Sequence, residues 1–117
     1  MIGVWPGAVE IELPFSEALT QQNGYLHAGV ITAIVDSACG YAALSLMAED
    51  SDVLTVEYKV NFVSPARGDS MIARGRVTKP GRTITVCSGD VVALHNGEEK
   101  LIATMLATMM AIRQGAD

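Results

Sequence analysis

Residues 26–47 form one long apolar run with a single carboxylate, Asp36, near its middle. Between residues 28 and 48 no other side chain is charged at neutral pH. A run of this length either crosses a membrane or becomes a helix that the rest of the chain must enclose. Asp36, the Gly and Ser content and the lack of basic flanks weigh against a span, and the amphipathic strands that follow supply the enclosure. Burying an unpaired carboxylate is costly, so Asp36 is the first candidate for chemistry.

The rest of the chain reads as one strand before this helix and four after it. Residues 8–13 alternate and stop at Pro14, residues 16–26 are a polar loop containing Asn23-Gly24, and the helix is expected to start near His27 and to end near Glu49, Asp50, Ser51 and Asp52. Leu54, Val56, Tyr58, Val60 and Phe62 then alternate with Thr55, Glu57, Lys59 and Asn61, a period of two that puts one apolar face on the core. A turn over 65–69 leads to a strand over 71–77. Lys79-Pro80-Gly81-Arg82 carries Pro and Gly at the two central positions of a type II turn. Asn96-Gly97 marks a hairpin between strands over 83–94 and 100–112. Nothing interrupts this plan, so the expectation is one domain, 1–117, of the α+β class: a curved antiparallel sheet wrapped around one long central helix.

Half of the residues are apolar and only 18% are charged, which suits a subunit that hides further surface in an oligomer. A net charge of -5 with eight scattered basic residues leaves no stripe for a nucleic-acid backbone. Cys39 and Cys87 lack metal-type spacing and read as buried small hydrophobes, and no metal is expected. The N-terminal residues do not resemble a secretion signal, so a cytoplasmic setting is expected. Trp5 is expected to pack on the first strand, His95 to be exposed at its hairpin, and Met105, Met109 and Met110 to fill the strand core.

On the helix, the positions that share a face with Asp36 are all small: Gly29, Thr32, Ala33, Cys39, Gly40 and Ala43. The bulk of Val30, Ile31, Ile34, Val35, Tyr41 and Leu46 is on the other side and is expected to fill the sheet's concavity. The small stripe admits a second helix, a strand or a slender ligand. Alternatively it serves tight packing, with Asp36 satisfied by a neighbouring hydroxyl or backbone group.

The segment Gln21-Gln22-Asn23-Gly24-Tyr25-Leu26-His27-Ala28-Gly29, with Asp36 nine residues after His27, resembles the His-Gly-Gly loop and helix of the hotdog-fold acyl-CoA thioesterases, in their phenylacetate-pathway-like branch. Residues 55–68 are similar to that family's next strand and turn, and Lys79-Pro80-Gly81-Arg82-Thr83 to its following hairpin. The resemblance runs from Trp5 to Ile112 and implies hydrolysis of acyl-CoA esters, aromatic or short-to-medium in chain, with the CoA thioester as substrate and no separate cofactor. It places the helix carboxylate, as nucleophile or general base, on Asp36. It puts the oxyanion donor on the backbone N–H of Ala28, where relatives have Gly, the motif histidine on His27, the positioning amide on Gln21, and a hydroxyl beside the carboxylate on Thr55. Where some relatives carry a hydroxyl one turn past the carboxylate this chain has Gly40. Gly29, Asn61, Arg67, Gly81, Arg82 and Thr83 are implied as contacts to CoA. Arg67, Lys79 and Arg82 stand at turns that could meet its phosphates.

Elementary geometry adds a constraint. Asp36 follows Ala28 by eight residues, so along one helix they are about 12 Å apart. A tetrahedral centre needs its oxyanion donor and its carboxylate each about 3 Å away. One straight helix cannot supply both, so the expected site joins Ala28 and His27 of one subunit to Asp36 of another across a two-fold axis, in a dimer or a dimer of dimers. Two other classes stay open: a non-hydrolytic acyl-CoA or acyl-carrier binding module, and a structural subunit in which Asp36 is a packing group.

Overall fold

The computed structural model describes residues 2–113; Met1 and residues 114–117 of the expected unit lie outside them. Among the described residues the elements run β1 (Gly3–Trp5), β2 (Ala8–Pro14), α1 (Ala28–Leu44), β3 (Ser51–Phe62), β4 (Ser70–Lys79), β5 (Ile84–His95) and β6 (Glu98–Arg113), with a 3-10 turn at Glu17–Leu19. The strands form one antiparallel sheet in the order β1-β2-β4-β5-β6-β3. The strand that follows the helix therefore runs along an edge. The sheet curves around α1 and closes a core of Ile31, Val35, Ala38, Cys39 and Ala42 against Val9, Met71, Ala73, Cys87, Val91, Met105 and Met109. This is the hotdog arrangement. No helix is long and apolar enough to cross a membrane among these residues.

The helix rests on a seat made by two glycines. Gly75 and Gly89 lie opposite each other on β4 and β5. A Cβ on Gly75 would overlap the backbone of Ala38 and Cys39, and one on Gly89 would lie 2.7 Å from the Val35 side chain and 2.9 Å from the Cys39 sulfur. This corrects the expected division of the helix. Cys39, Gly40 and Ala43 of the small stripe are buried, while the bulky Tyr41 and Leu46 are exposed. Small residues are needed on the sheet side because the helix sits this low. Gly29 and Ala33 keep the outward role.

Three further expectations change. The helix stops at Leu44 rather than near Glu49: the Ser45 hydroxyl bonds back to the Ala42 carbonyl at 2.7 Å and accepts the Gly7 N–H at 2.8 Å, tying the helix end to the β1–β2 turn. That turn belongs to a first hairpin that the alternation did not reveal, since β1 is three residues long and its Trp5 is half exposed. The 79–82 turn is not type II, because Gly81 has no positive φ. Glycine is required there for space, as a Cβ would run into the Ile84 carbonyl. At Asn96-Gly97, by contrast, φ values of 51° and 79° give the expected two-residue hairpin.

On β3 the apolar face is not continuous. Thr55 pairs with Met109 and Glu57 with Thr108, so Val56 is an extra residue, a β-bulge. Val53 and Thr55 share the helix-facing side with Met109 and Ala111, and after the bulge Tyr58, Val60 and Phe62 share it with Ala107, Met105 and Ala103. Leu54 faces the other way, beside Met110. Tyr58 and Phe62 nonetheless stay half exposed, because α1 does not cover this edge.

Both cysteines are free and buried. Burial pushes the Cys39 thiol up to about 12 and the Cys87 thiol up to about 11. Thiolate, the reactive form, is therefore nearly absent at pH 8. The native protein is expected not to react with a disulfide-type thiol reagent at that pH, and to react at both positions after unfolding. Rapid labelling of the folded protein would show these thiols to be accessible.

Candidate active site

Asp36 is half buried in the third turn of α1, on the flank that faces β3. Thr55 Oγ1 is 2.8 Å from Asp36 Oδ1 and 3.3 Å from Met109 Sδ. The hydroxyl has one proton to give, and a carboxylate is a far stronger acceptor than a thioether. Thr55 therefore donates to Asp36. The bulge just after Thr55 allows this strand to aim a hydroxyl at the helix and still present Tyr58 and Phe62 on the same side. Oδ2 of Asp36 has no protein partner among the described residues, so it can face a water or an acyl carbon. Gly40, one turn on, is buried beside Val53 and adds no hydroxyl.

At the start of the helix, His27 is the N-cap with φ -59° and ψ 141°. Its carbonyl accepts the N–H groups of Val30 and Ile31, and its side chain makes no capping bond. The N–H groups of Ala28 and Gly29 have no acceptor among the described residues, and they stand at the positive end of the helix dipole. The loop before them is fixed by Leu26 N–H to the Ala66 carbonyl at 2.9 Å, His27 N–H to the Leu19 carbonyl at 3.1 Å and Gln21 N–H to the Tyr25 carbonyl at 2.8 Å. A Cβ on Gly29 would meet nothing within 4 Å. The protomer's own packing thus gives no reason for glycine there, although it costs helix stability.

The other expected residues fall into separate places. Gln21 and Arg67 line an open groove of about 1150 Å³ with Glu17, Asp69, His95 and Lys100. Gly81, Arg82 and Thr83 line a hollow of about 450 Å³ with Leu46, Met47, Ser51 and Arg113, where the chain leaves the helix. Asn61 pairs with Thr104 on the sheet face away from the helix. Lys79 ends β4, and His95 is exposed, 3.8 Å from Asp69. Only Asp36 and Thr55 of the expected residues share a hydrogen bond. No His, Cys, Asp and Glu cluster that could hold a metal exists among the described residues.

Because α1 is continuous from Ala28 to Leu44, the free N–H groups and the Asp36 carboxylate are about 12 Å apart along it.

A model of the thioesterase superfamily matches residues 23–100. The crystal structure of a thioesterase family protein from Silicibacter pomeroyi superposes with a TM-score of 0.93 at 54% identity, covering 95% of this chain and 82% of that one. Acyl-coenzyme A thioesterase 13 of Homo sapiens is 29% identical over 104 residues, 88% of this chain and 72% of that protein. Medium/long-chain acyl-CoA thioesterase YigI of Escherichia coli is 30% identical over 98 residues, 73% of this chain and 61% of that protein.

Proposed function

The chain belongs to the thioesterase superfamily and is a thioester hydrolase on the hotdog fold, and on that premise we propose that it hydrolyses acyl-CoA esters at a site shared between two subunits. The observation that carries this reading is the placement of the two reactive features on one unbroken helix, at a separation that only a second helix can close. In an antiparallel pair that sets Ala28 beside the partner's Asp36, the two helices cross at Thr32 of each. The Ala28 N–H and the helix dipole then receive the thioester oxygen of the substrate. Asp36 of the opposite subunit, held by Thr55, takes the proton of the attacking water or attacks the carbonyl carbon itself. His27 and Gln21 border the carbonyl, and Gly29 leaves room for the pantetheine arm.

The edge position of β3 supports the same assembly. A twelve-residue edge strand is an open template for pairing, and its exposed Leu54, Val56, Tyr58 and Phe62 gain cover from a second copy. The acyl group, aromatic or short-to-medium in chain, would lie against Tyr58 and Phe62.

Subunit mixing tests the arrangement. Ala28→Pro removes the N–H at the first helical position, where proline is tolerated, and His27 already has the extended backbone that precedes proline. It is expected to lower kcat about a hundredfold or more with little change in Tm. When Ala28→Pro and Asp36→Asn subunits are unfolded and refolded together, half of the dimers are mixed and each has one intact site, so activity should return to about a quarter of the parent's. If the mixture stays as inactive as either variant, the two groups do not come from different subunits. Ala28 in place of glycine favours one alternative, a binding module whose narrowed carbonyl site no longer turns over. In that case CoA esters would raise Tm without releasing thiol.

A further inference from the structure

The shared site fixes where a partner lies along β3. Helix and strand run side by side: Thr55 donates to Asp36 at 2.8 Å, and a Cβ on Gly40, one turn later, would lie 3.8 Å from the Val53 side chain. One turn earlier than Asp36 stands Thr32, where the two helices cross. Four helical residues rise about 6 Å and a two-residue step of strand about 7 Å, so Thr32 is level with the next inward position past Thr55. The bulge makes that position Tyr58, which pairs with Ala107 where Thr55 pairs with Met109. A two-fold axis at the Thr32 crossing therefore passes beside Tyr58 and sets it opposite its own copy.

The charges on the other face of the strand select the same register without reference to the helix. Glu57 and Lys59 flank Tyr58 and are exposed on the face away from α1, opposite Thr108 and Leu106. The Thr108 hydroxyl donates to Glu57 Oε1 at 2.9 Å, and Lys59 has no ion-pair partner among the described residues. With Tyr58 on the axis, each Glu57 lies directly opposite the partner's Lys59, at a Cβ separation of about 5 Å where opposite charges attract. Centring the pair on position 57 or 59 would set like charges against each other. Registers between these would set inner residues against outer ones.

We propose that a second copy docks along β3 with Tyr58 on the two-fold axis, and that the two Tyr58 rings, meeting between the helices, limit the length of acyl group that each site takes. The floor of the site is closed on one side of Thr55, where Val53 packs on the core beside Gly40. Toward the axis it is open, because α1 leaves Tyr58 half exposed. An acyl chain that starts at Asp36 runs along the strand in that direction and meets the rings after about 7 Å. The same rings end the second site, so neither chain can extend into the other. The inference rests on the shared-site reading.

A disulfide at position 58 tests the docking without turnover. Opposite residues of an antiparallel pair have Cα atoms about 4.5–5.5 Å apart, within disulfide reach, whereas positions 57 and 59 lie about 8 Å from their own copies in this register and beyond it. Under a mild oxidant Tyr58→Cys is expected to become a covalent dimer. Glu57→Cys and Lys59→Cys should do so only when mixed with each other, and the buried Cys39 and Cys87 stay out of the reaction. Covalent dimer from either of these variants alone, or none from Tyr58→Cys, would overturn the register. Tyr58→Ala opens the space at the axis and is expected to raise the ratio of kcat/KM for dodecanoyl-CoA to that for hexanoyl-CoA about tenfold or more. An unchanged ratio would overturn the length limit. If Tyr58→Cys cross-links while the parent cleaves no thioester, the docking stands and the hydrolytic reading falls, and the length limit with it.

Discussion

Asp36→Asn is expected to lower kcat for acyl-CoA hydrolysis by about a thousandfold or more, with KM and Tm close to the parent's. A positioned general base is worth roughly two to four powers of ten, and a nucleophile at least as much. Asparagine keeps the volume of the side chain and an oxygen that can accept the Thr55 hydroxyl, so the 2.8 Å contact survives the exchange. What is lost is the negative charge and the ability to take a proton. The measurement is thiol release by a coloured reagent, which the buried Cys39 and Cys87 leave free of background, together with a thermal melt. Undiminished turnover would remove Asp36 from the mechanism. A large fall in Tm with activity retained by the molecules still folded would instead make it a packing group.

The largest stability effect is expected at Gly75. Its missing side chain lies against the backbone of Ala38 and Cys39, in the middle of the helix, and backbone there cannot shift without lifting α1 from the sheet. Gly75→Ala should cost about 3 kcal/mol or prevent folding, at the upper end of what overpacking does. Gly89→Ala meets the side chains of Val35 and Cys39 first, at 2.7 and 2.9 Å, and backbone only at the Arg74 carbonyl, 3.1 Å away, so about 1–2 kcal/mol is expected. Urea denaturation of both variants decides between them. If Gly75→Ala were the milder of the two, backbone contact would not be what fixes the height of the helix.

Much of this was legible in the residues. The apolar run with one carboxylate gave the central helix. The alternating segments and the Asn96-Gly97 turn gave the later strands, and the loop around Gln21 and His27 was placed correctly before the helix. What escaped had a tertiary cause. The helix ends at Leu44 because Ser45 bonds to Gly7, thirty-eight residues earlier, and no local pattern encodes that partner. The small stripe left a second helix, a strand, a slender ligand and tight packing open, and at Cys39, Gly40 and Ala43 it is tight packing against the strands, on a seat made by Gly75 and Gly89, glycines that carry no hydrophobic signal of their own. The pairing of Thr55 with Asp36 came from the family resemblance, since nothing in the spacing of positions 36 and 55 announces it.

The extra residue at Val56 has a consequence for how this chain can drift. On either side of it, β3 counts its faces by a different parity: odd positions look toward the helix up to Thr55, and even positions do so from Tyr58 onward. Losing Val56 alone would heal the bulge and leave Thr55 opposite Met109 and Tyr58 opposite Ala107, with the hydroxyl and both rings still on the inner side, whereas losing one residue elsewhere in the strand turns every side chain beyond it over. Single deletions in this strand should therefore persist at the bulge or at its ends, and elsewhere only in pairs. A related sequence one residue shorter at this point would keep the same inside and outside of the molecule, even though a count of alternate positions across the gap would exchange them.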